Sequence, residues 1–312
     1  MMIAFGLLLL GGTMLYFGAE WLVRGAAGMA LAFGVRQLVI GLTVVSYGTS
    51  APELAVSVLA ALEGKSAIAL GNVIGSNIAN VGLILGVTTL VAPPRAEASM
   101  IRRELPIMIA ACAVVPLLLR DGSIGRMEGL VLTLAGLLFT WVVFRWSGGS
   151  APHVEELPPA EGRSTLALAA LVLVGLALLV GGGHAVVSGA VELAQRAGMS
   201  ERVVGLTIVA VGTSLPELAA SLVAALRGHS ELALGNVVGS NIYNIVFILG
   251  VASLVHPIAG PLAIFGRDLV AMIIFALLAA ASMSRPRRIG RAEGAMYLGL
   301  YAAFLVVLGF VQ

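Results

Sequence analysis

The chain has 312 residues, 59% of them hydrophobic and 11% charged, with a formal net charge of +2. A soluble globular chain carries about a quarter of its residues as Asp, Glu, Lys and Arg, so this composition excludes an ordinary soluble enzyme, and +2 is too small a charge to suggest a nucleic-acid partner. The single cysteine, Cys112, lies in an apolar run, which excludes a disulfide framework and a multi-cysteine metal site.

Taken in order, charge clusters, Pro/Gly breaks and polar turns divide the chain into ten apolar stretches able to cross a hydrocarbon core of ~30 Å as helices. They run from 3 to 32, 37 to 62, 67 to 91, 100 to 119, 126 to 146, 164 to 196, 201 to 226, 231 to 255, 263 to 283 and 290 to 311. The first has no basic leader or small-residue cleavage site before it continues through Trp21 to Phe33, so it reads as a retained span. The polar segment SGGSAPHVEELPPAEGR, residues 147–163, separates 1–146 from 164–312. The expected fold class is an all-α polytopic membrane protein of ten transmembrane helices.

The halves are copies. Residues 41–87 and 205–251 align without a gap at an offset of 164, with 31 of 47 positions identical. Five spans per half deliver the chain to the opposite side of the membrane, so the second copy must be inverted. Inverted repeats are the build of many secondary transporters, with the substrate site at mid-bilayer where the repeats meet. Lys and Arg divide 12 to 6 between the two sets of loops. The positive-inside rule then places the richer side, including the 147–163 linker, in the cytoplasm and both termini outside.

Most acidic residues fall in predicted loops or helix ends, but Glu53 and Glu217 lie mid-span in matched phrases, GTSAPE (48–53) and GTSLPE (212–217). An ionised carboxylate at the bilayer centre costs at least ~2.5 kcal/mol on insertion scales, and two of them meeting near the midplane need cations. Pro52 and Pro216 cannot donate to the residue four back, which frees the carbonyls of Gly48 and Gly212. Thr49, Ser50, Thr213 and Ser214 add hydroxyls in the same turns. In the second pair of phrases, GNVIGSNIAN (71–80) and GNVVGSNIYN (235–244), Asn72, Ser76 and Asn80, and likewise Asn236, Ser240 and Asn244, fall on one helical face. Their oxygens suit a cation, although Asn and Ser among small residues also pack transmembrane helices together. Carboxylate, amide, hydroxyl and carbonyl oxygens without Cys or His are the ligands of hard cations, and calcium and sodium fit best. Two carboxylates balance one divalent ion or two or more monovalent ions, which points to exchange.

These paired phrases resemble the alpha-1 and alpha-2 repeats of the sodium/calcium exchanger family of the cation/calcium antiporter superfamily, over essentially the whole chain. The resemblance implies a prokaryotic antiporter that exchanges calcium for sodium, with no enzymatic activity and no cofactor, in contact with the lipid of an inner (plasma) membrane. It assigns calcium to Glu53 and Glu217 with the backbone carbonyls of Thr49 and Thr213. It assigns sodium to Ser50, Ser76, Ser214 and Ser240 with the carbonyls of Ser46 and Ala210, and it puts Asn80 and Asn244 at the last motif position. Many relatives have Asp where this chain has Asn244, so one negative charge is missing and potassium coupling is not expected. Residues 147–163 leave no room for the regulatory loop of animal exchangers. A monomer is compatible with the sequence, which does not fix the oligomeric state.

A proton-coupled calcium antiporter is the alternative, but its relatives resemble GNxxE patterns, absent here. An intramembrane hydrolase lacks a nearby His, Asp or activated nucleophile. Elsewhere, Glu20 and Arg24 are expected to pair at i, i+4, His184 stands at the offset position of Glu20, Glu192 is expected to be interfacial, and Trp141, Trp146 and Tyr297 read as interface anchors.

Overall fold

The computed structural model describes residues 2–147, 164–198, 210–285 and 288–311, so most of the linker and the first part of the seventh stretch lie outside the described residues. The helices are α1 (Met2–Phe33), α2 (Gln37–Thr49), α3 (Ala51–Leu62), α4 (Ser66–Val91), α5 (Ala98–Arg102), α6 (Glu104–Leu118), α7 (Arg126–Ser147), α8 (Thr165–Arg196), α9 (Ala210–Gly212), α10 (Leu215–Leu226), α11 (Ser230–Val255), α12 (Leu262–Met283) and α13 (Arg291–Val311). Seven of these are long and apolar enough to span a bilayer, and α2 with α3 makes an eighth bent by 47°. Of the other two expected spans, one is interrupted at Arg103, as Pro106 cannot donate to the carbonyl of Arg102. The other begins among residues 199–209, outside the described residues.

The first helix of each half reveals the inversion. Gly11, Gly18 and Gly25 recur every seven residues in α1, as do Gly175, Gly182 and Gly189 in α8. A methyl group at Gly11 would lie 2.7 Å from the carbonyl oxygen of Gly182, and one at Gly18 would lie 2.9 Å from that of Gly175. Only glycine permits two backbones to approach so closely. The order of these contacts makes the helices antiparallel. Because Gly175 and Gly182 are the offset images of Gly11 and Gly18, the seam is self-complementary, as a two-fold relation between the copies requires.

The larger apolar core lies between α4, α6, α11 and α12, around Ile74, Ile78, Met108, Val238, Ile242 and Met272. A smaller one joins α1 and α8 to α10 and α2 through Leu22, Val23, Ile40, Val172, Leu179 and Ala224. Two short extended segments, β1 (Ser123–Ile124) and β2 (Ile258–Ala259), pair antiparallel and tie the halves together at one end. Tyr297 corrects a sequence expectation. It is fully buried, and its hydroxyl donates to the carbonyl of Leu278 at 3.1 Å, so it closes the core and does not anchor an interface. Trp141 is exposed, and the side chain of Trp146 lies outside what is described.

Candidate cation site

Each glutamate sits where a span breaks. The backbone leaves helical geometry at Ser50 (φ −84°, ψ 9°) and at its image Ser214 (φ −89°, ψ 4°), and a new helix starts with proline in its first turn. Pro52 and Pro216 suit that position, where a backbone N–H has no intrahelical partner anyway. Glu53 and Glu217 therefore stand in the first turns of α3 and α10, at the positive ends of the helix dipoles. The sequence motif gives the break; the dipole follows from where the new helix begins.

Both glutamates are buried, each 2% exposed. The repeats meet here across the chain. Ser50 Oγ donates to Glu217 Oε1 at 2.9 Å and lies 3.2 Å from Ser240 Oγ. The Thr213 side chain hydrogen-bonds Glu53. Thr49 Oγ1 donates to Asn236 Oδ1 at 3.2 Å. Ser46 Oγ donates to the carbonyl of Gly41 at 2.7 Å, within a π-helical turn over Gly41–Val45, and approaches the carbonyl of Asn236 at 3.2 Å.

Asn80 and Asn244 each open a further π-helical turn, Asn80–Leu85 and Asn244–Leu249. Such turns interrupt the regular ladder and recur at functional sites. Asn80, Ser76, Ser214, Ser240 and Asn244 are all buried. The carbonyl position at Ala210 is the first residue of α9. Among the described residues, Glu53 Oε2, Glu217 Oε2, Ser214 Oγ and Asn244 Oδ1 are buried without a hydrogen-bond partner. Buried polar atoms are normally satisfied, so orphan oxygens from both repeats in one region mark a place built for something that is not protein. Acceptors predominate among them, as a cation requires.

Two residues do something other than their sequence pattern suggests. The Asn72 amide donates to the carbonyl of Glu53 (3.1 Å) and to Ser57 Oγ (2.9 Å), and Asn236 repeats this on the carbonyl of Glu217 (3.3 Å) and Ser221 Oγ (2.9 Å). Through their NH2 groups they brace the glutamate-bearing helices, a role the oxygen-donor reading did not include. Ser57 and Ser221, fully buried, escaped the sequence reading. Their identity at matched positions, four residues after each glutamate, was the available signal. Glycine at 48 and 212 has a packing reason. A methyl group at Gly48 would meet Leu176 at 2.5 Å, and one at Gly212 would collide with Val187, because α8 crosses both breaks.

Comparison with known proteins matches both halves of the chain. The family described as "Sodium/calcium exchanger protein" matches residues 3–145 and 167–310, two blocks whose starts differ by the 164 residues of the internal repeat (167 − 3). The inner membrane protein YrbG of Escherichia coli is 37% identical, over 99% of this chain and 97% of its own. The sodium/calcium exchanger MaX1 of Methanosarcina acetivorans is 33% identical, over 98% of this chain and 99% of its own. A solved structure of the sodium-calcium exchanger NCX_Mj, soaked with Na+ and Sr2+, superposes with a TM-score of 0.85 at 31% identity, covering 98% of each chain. With both halves matched by one family model and relatives similar over nearly the whole chain, the chain belongs to the sodium/calcium exchanger family.

Proposed function

We propose that this integral membrane protein exchanges calcium for sodium by alternating access at a site formed where the two repeats meet. The observation that carries the reading is the facing pair of broken helices, whose buried glutamates accept hydrogen bonds from the opposite repeat while keeping oxygens unpartnered. In this reading Glu53 and Glu217, with the backbone carbonyls of Thr49 and Thr213, hold calcium. The hydroxyls of Ser50, Ser76, Ser214 and Ser240, the carbonyls of Ser46 and Ala210, and the side chains of Asn80 and Asn244 hold sodium. Two carboxylates neutralise one calcium ion, and three sodium ions leave one positive charge, since Asn244 supplies none. A two-for-one cycle would be neutral; the resemblance to the family favours three for one, which moves net charge.

The same proposal covers the organisation of the chain: ten spans in two inverted five-helix units, 1–146 and 164–312, joined by a cytoplasmic linker at 147–163, with both termini outside an inner (plasma) membrane. What supports that orientation is the 12 to 6 division of basic residues.

The test is radiolabelled calcium uptake into proteoliposomes with sodium and proton gradients imposed separately. An outward sodium gradient should drive uptake and a pH jump should not. Uptake driven equally well by the pH jump, and insensitive to internal sodium, would replace sodium coupling with proton coupling.

A further inference from the structure

Glu20, in the middle of α1, has a largely buried carboxylate with two arginine partners. Arg24, one turn along the same helix, lies 3.0 Å from Oε1. Arg227, just past the end of α10 in the other repeat, places Nη2 at 2.9 Å and Nε at 3.0 Å from Oε2. Arg24 can hold nothing to α1 except α1 itself, whereas Arg227 ties the helix to the opposite repeat with a two-nitrogen fork. The rest of that contact is small and apolar: Ala19, Leu22, Val23 and Ala26 lie in one cluster with Ala220, Val223 and Ala224.

The internal offset asks what stands at the image of this pair. Glu20 maps to His184 and Arg227 to Glu63. In a transporter of inverted repeats, the second access state arises when the copies exchange conformations. The contact made on one side then becomes, on the other, a contact between His184 and Glu63. In the present conformation His184 is exposed, and Glu63 is paired instead with Lys65. The two sides are therefore chemically unequal. One carries a forked arginine–carboxylate pair; the other would carry an imidazole and a carboxylate that already has a partner. A contact made in only one of two states shifts their ratio by its own free energy.

We infer that Glu20 and Arg227 form a one-sided latch that favours the access state seen here, acting as positioning residues for alternating access and not as ion ligands. The inference rests on the proposed exchange between inverted repeats, and sodium-driven flux of the unaltered protein tests that reading separately. The experiment measures the KM for calcium from each face of oriented proteoliposomes, because the affinity seen from a face scales with the population of the state open to it. Arg227→Met and Glu20→Gln should each change the ratio of the two KM values about fivefold, the low end of typical coupling, and in the same direction. The double variant should do no more than either single one. Arg227→Lys should keep part of the effect, and Arg24→Met should leave the ratio unchanged. Glu63→Arg combined with His184→Glu, which builds the missing image, should move the ratio the opposite way. An unchanged ratio in both single latch variants, or an equal shift in Arg24→Met, would overturn the latch. If the single variants fail to fold, the Glu63→Arg/His184→Glu protein decides alone, since its native latch is intact and an unmoved ratio refutes the idea.

Discussion

Replacing Glu217 with glutamine isolates the charge of one carboxylate. The side chain is 2% exposed, Oε1 accepts from Ser50 at 2.9 Å, and Oε2 has no protein partner. Glutamine keeps the volume and can keep the Ser50 hydrogen bond through its own oxygen. It puts an NH2 donor where a cation requires an acceptor and leaves calcium with one compensating charge instead of two. An uncompensated unit charge at the centre of a membrane costs about 2.5–3.5 kcal/mol on insertion scales. At 1.4 kcal/mol per factor of ten, calcium affinity should fall by about 60- to 300-fold. Folding should survive. The lost interaction with the α10 dipole is about 0.3–1 kcal/mol, and removing an intramembrane charge acts in the opposite direction. Calcium binding by calorimetry, flux in proteoliposomes and monodispersity in detergent measure all three. Glu53→Gln should behave alike, and the double substitution, which leaves calcium with no compensating charge, should weaken calcium binding further still. Near-normal calcium flux in either folded single variant would refute the shared carboxylate site.

The glycine seam gives a stability test with its own control: Ala at Gly18 meets the carbonyl of Gly175 and the amide of Leu179 at 2.9 Å, whereas Ala at Gly12 has open space. Gly18→Ala should cost about 1–3 kcal/mol by overpacking and lower the detergent Tm by several degrees, while Gly12→Ala should hold or raise it through helix propensity. Burial, reinforced by Arg227 and opposed by Glu20, holds the His229 imidazole below its usual range. Its neutral form is therefore the folded one; the stability it contributes is present above pH ~6.5 and is lost as pH falls through the folded value. Thermal scans between pH 7 and 5 should show a smaller loss of Tm in His229→Gln. For coupling, varying the two ion gradients and reading the reversal potential should give three sodium ions per calcium ion, and a flux indifferent to membrane voltage would exclude that ratio.

The sequence alone specified the membrane class, the duplicated unit, the inversion and the two glutamates. Each depends on local chemistry or on counting: apolar length against bilayer thickness, an odd number of expected spans per copy, and a charge that has no inexpensive place in a hydrocarbon core. The i, i+4 pairing of Glu20 with Arg24 was legible for the same reason, because helical periodicity fixes it. Glu192 likewise pairs with Arg196 one turn away. Tertiary structure decided whatever depends on which residues distant in sequence become neighbours. Periodicity put Asn72 and Asn236 on the same face as Ser76 and Ser240, but an amide offers donors as well as an acceptor. Only the approach of α3 and α10 turned those donors toward the glutamate carbonyls and the hidden serines, Ser57 and Ser221. Tyr297 looked interfacial because a tyrosine near a span end usually is, and it became core because a carbonyl of α12 lies within reach of its hydroxyl. Arg227 was counted only as a topological charge until the antiparallel crossing of the repeats delivered its guanidinium to Glu20, 207 residues earlier in the chain. The span of a helix and the sign of a charge are properties of a segment, whereas the partner of a buried polar atom is a property of the packing.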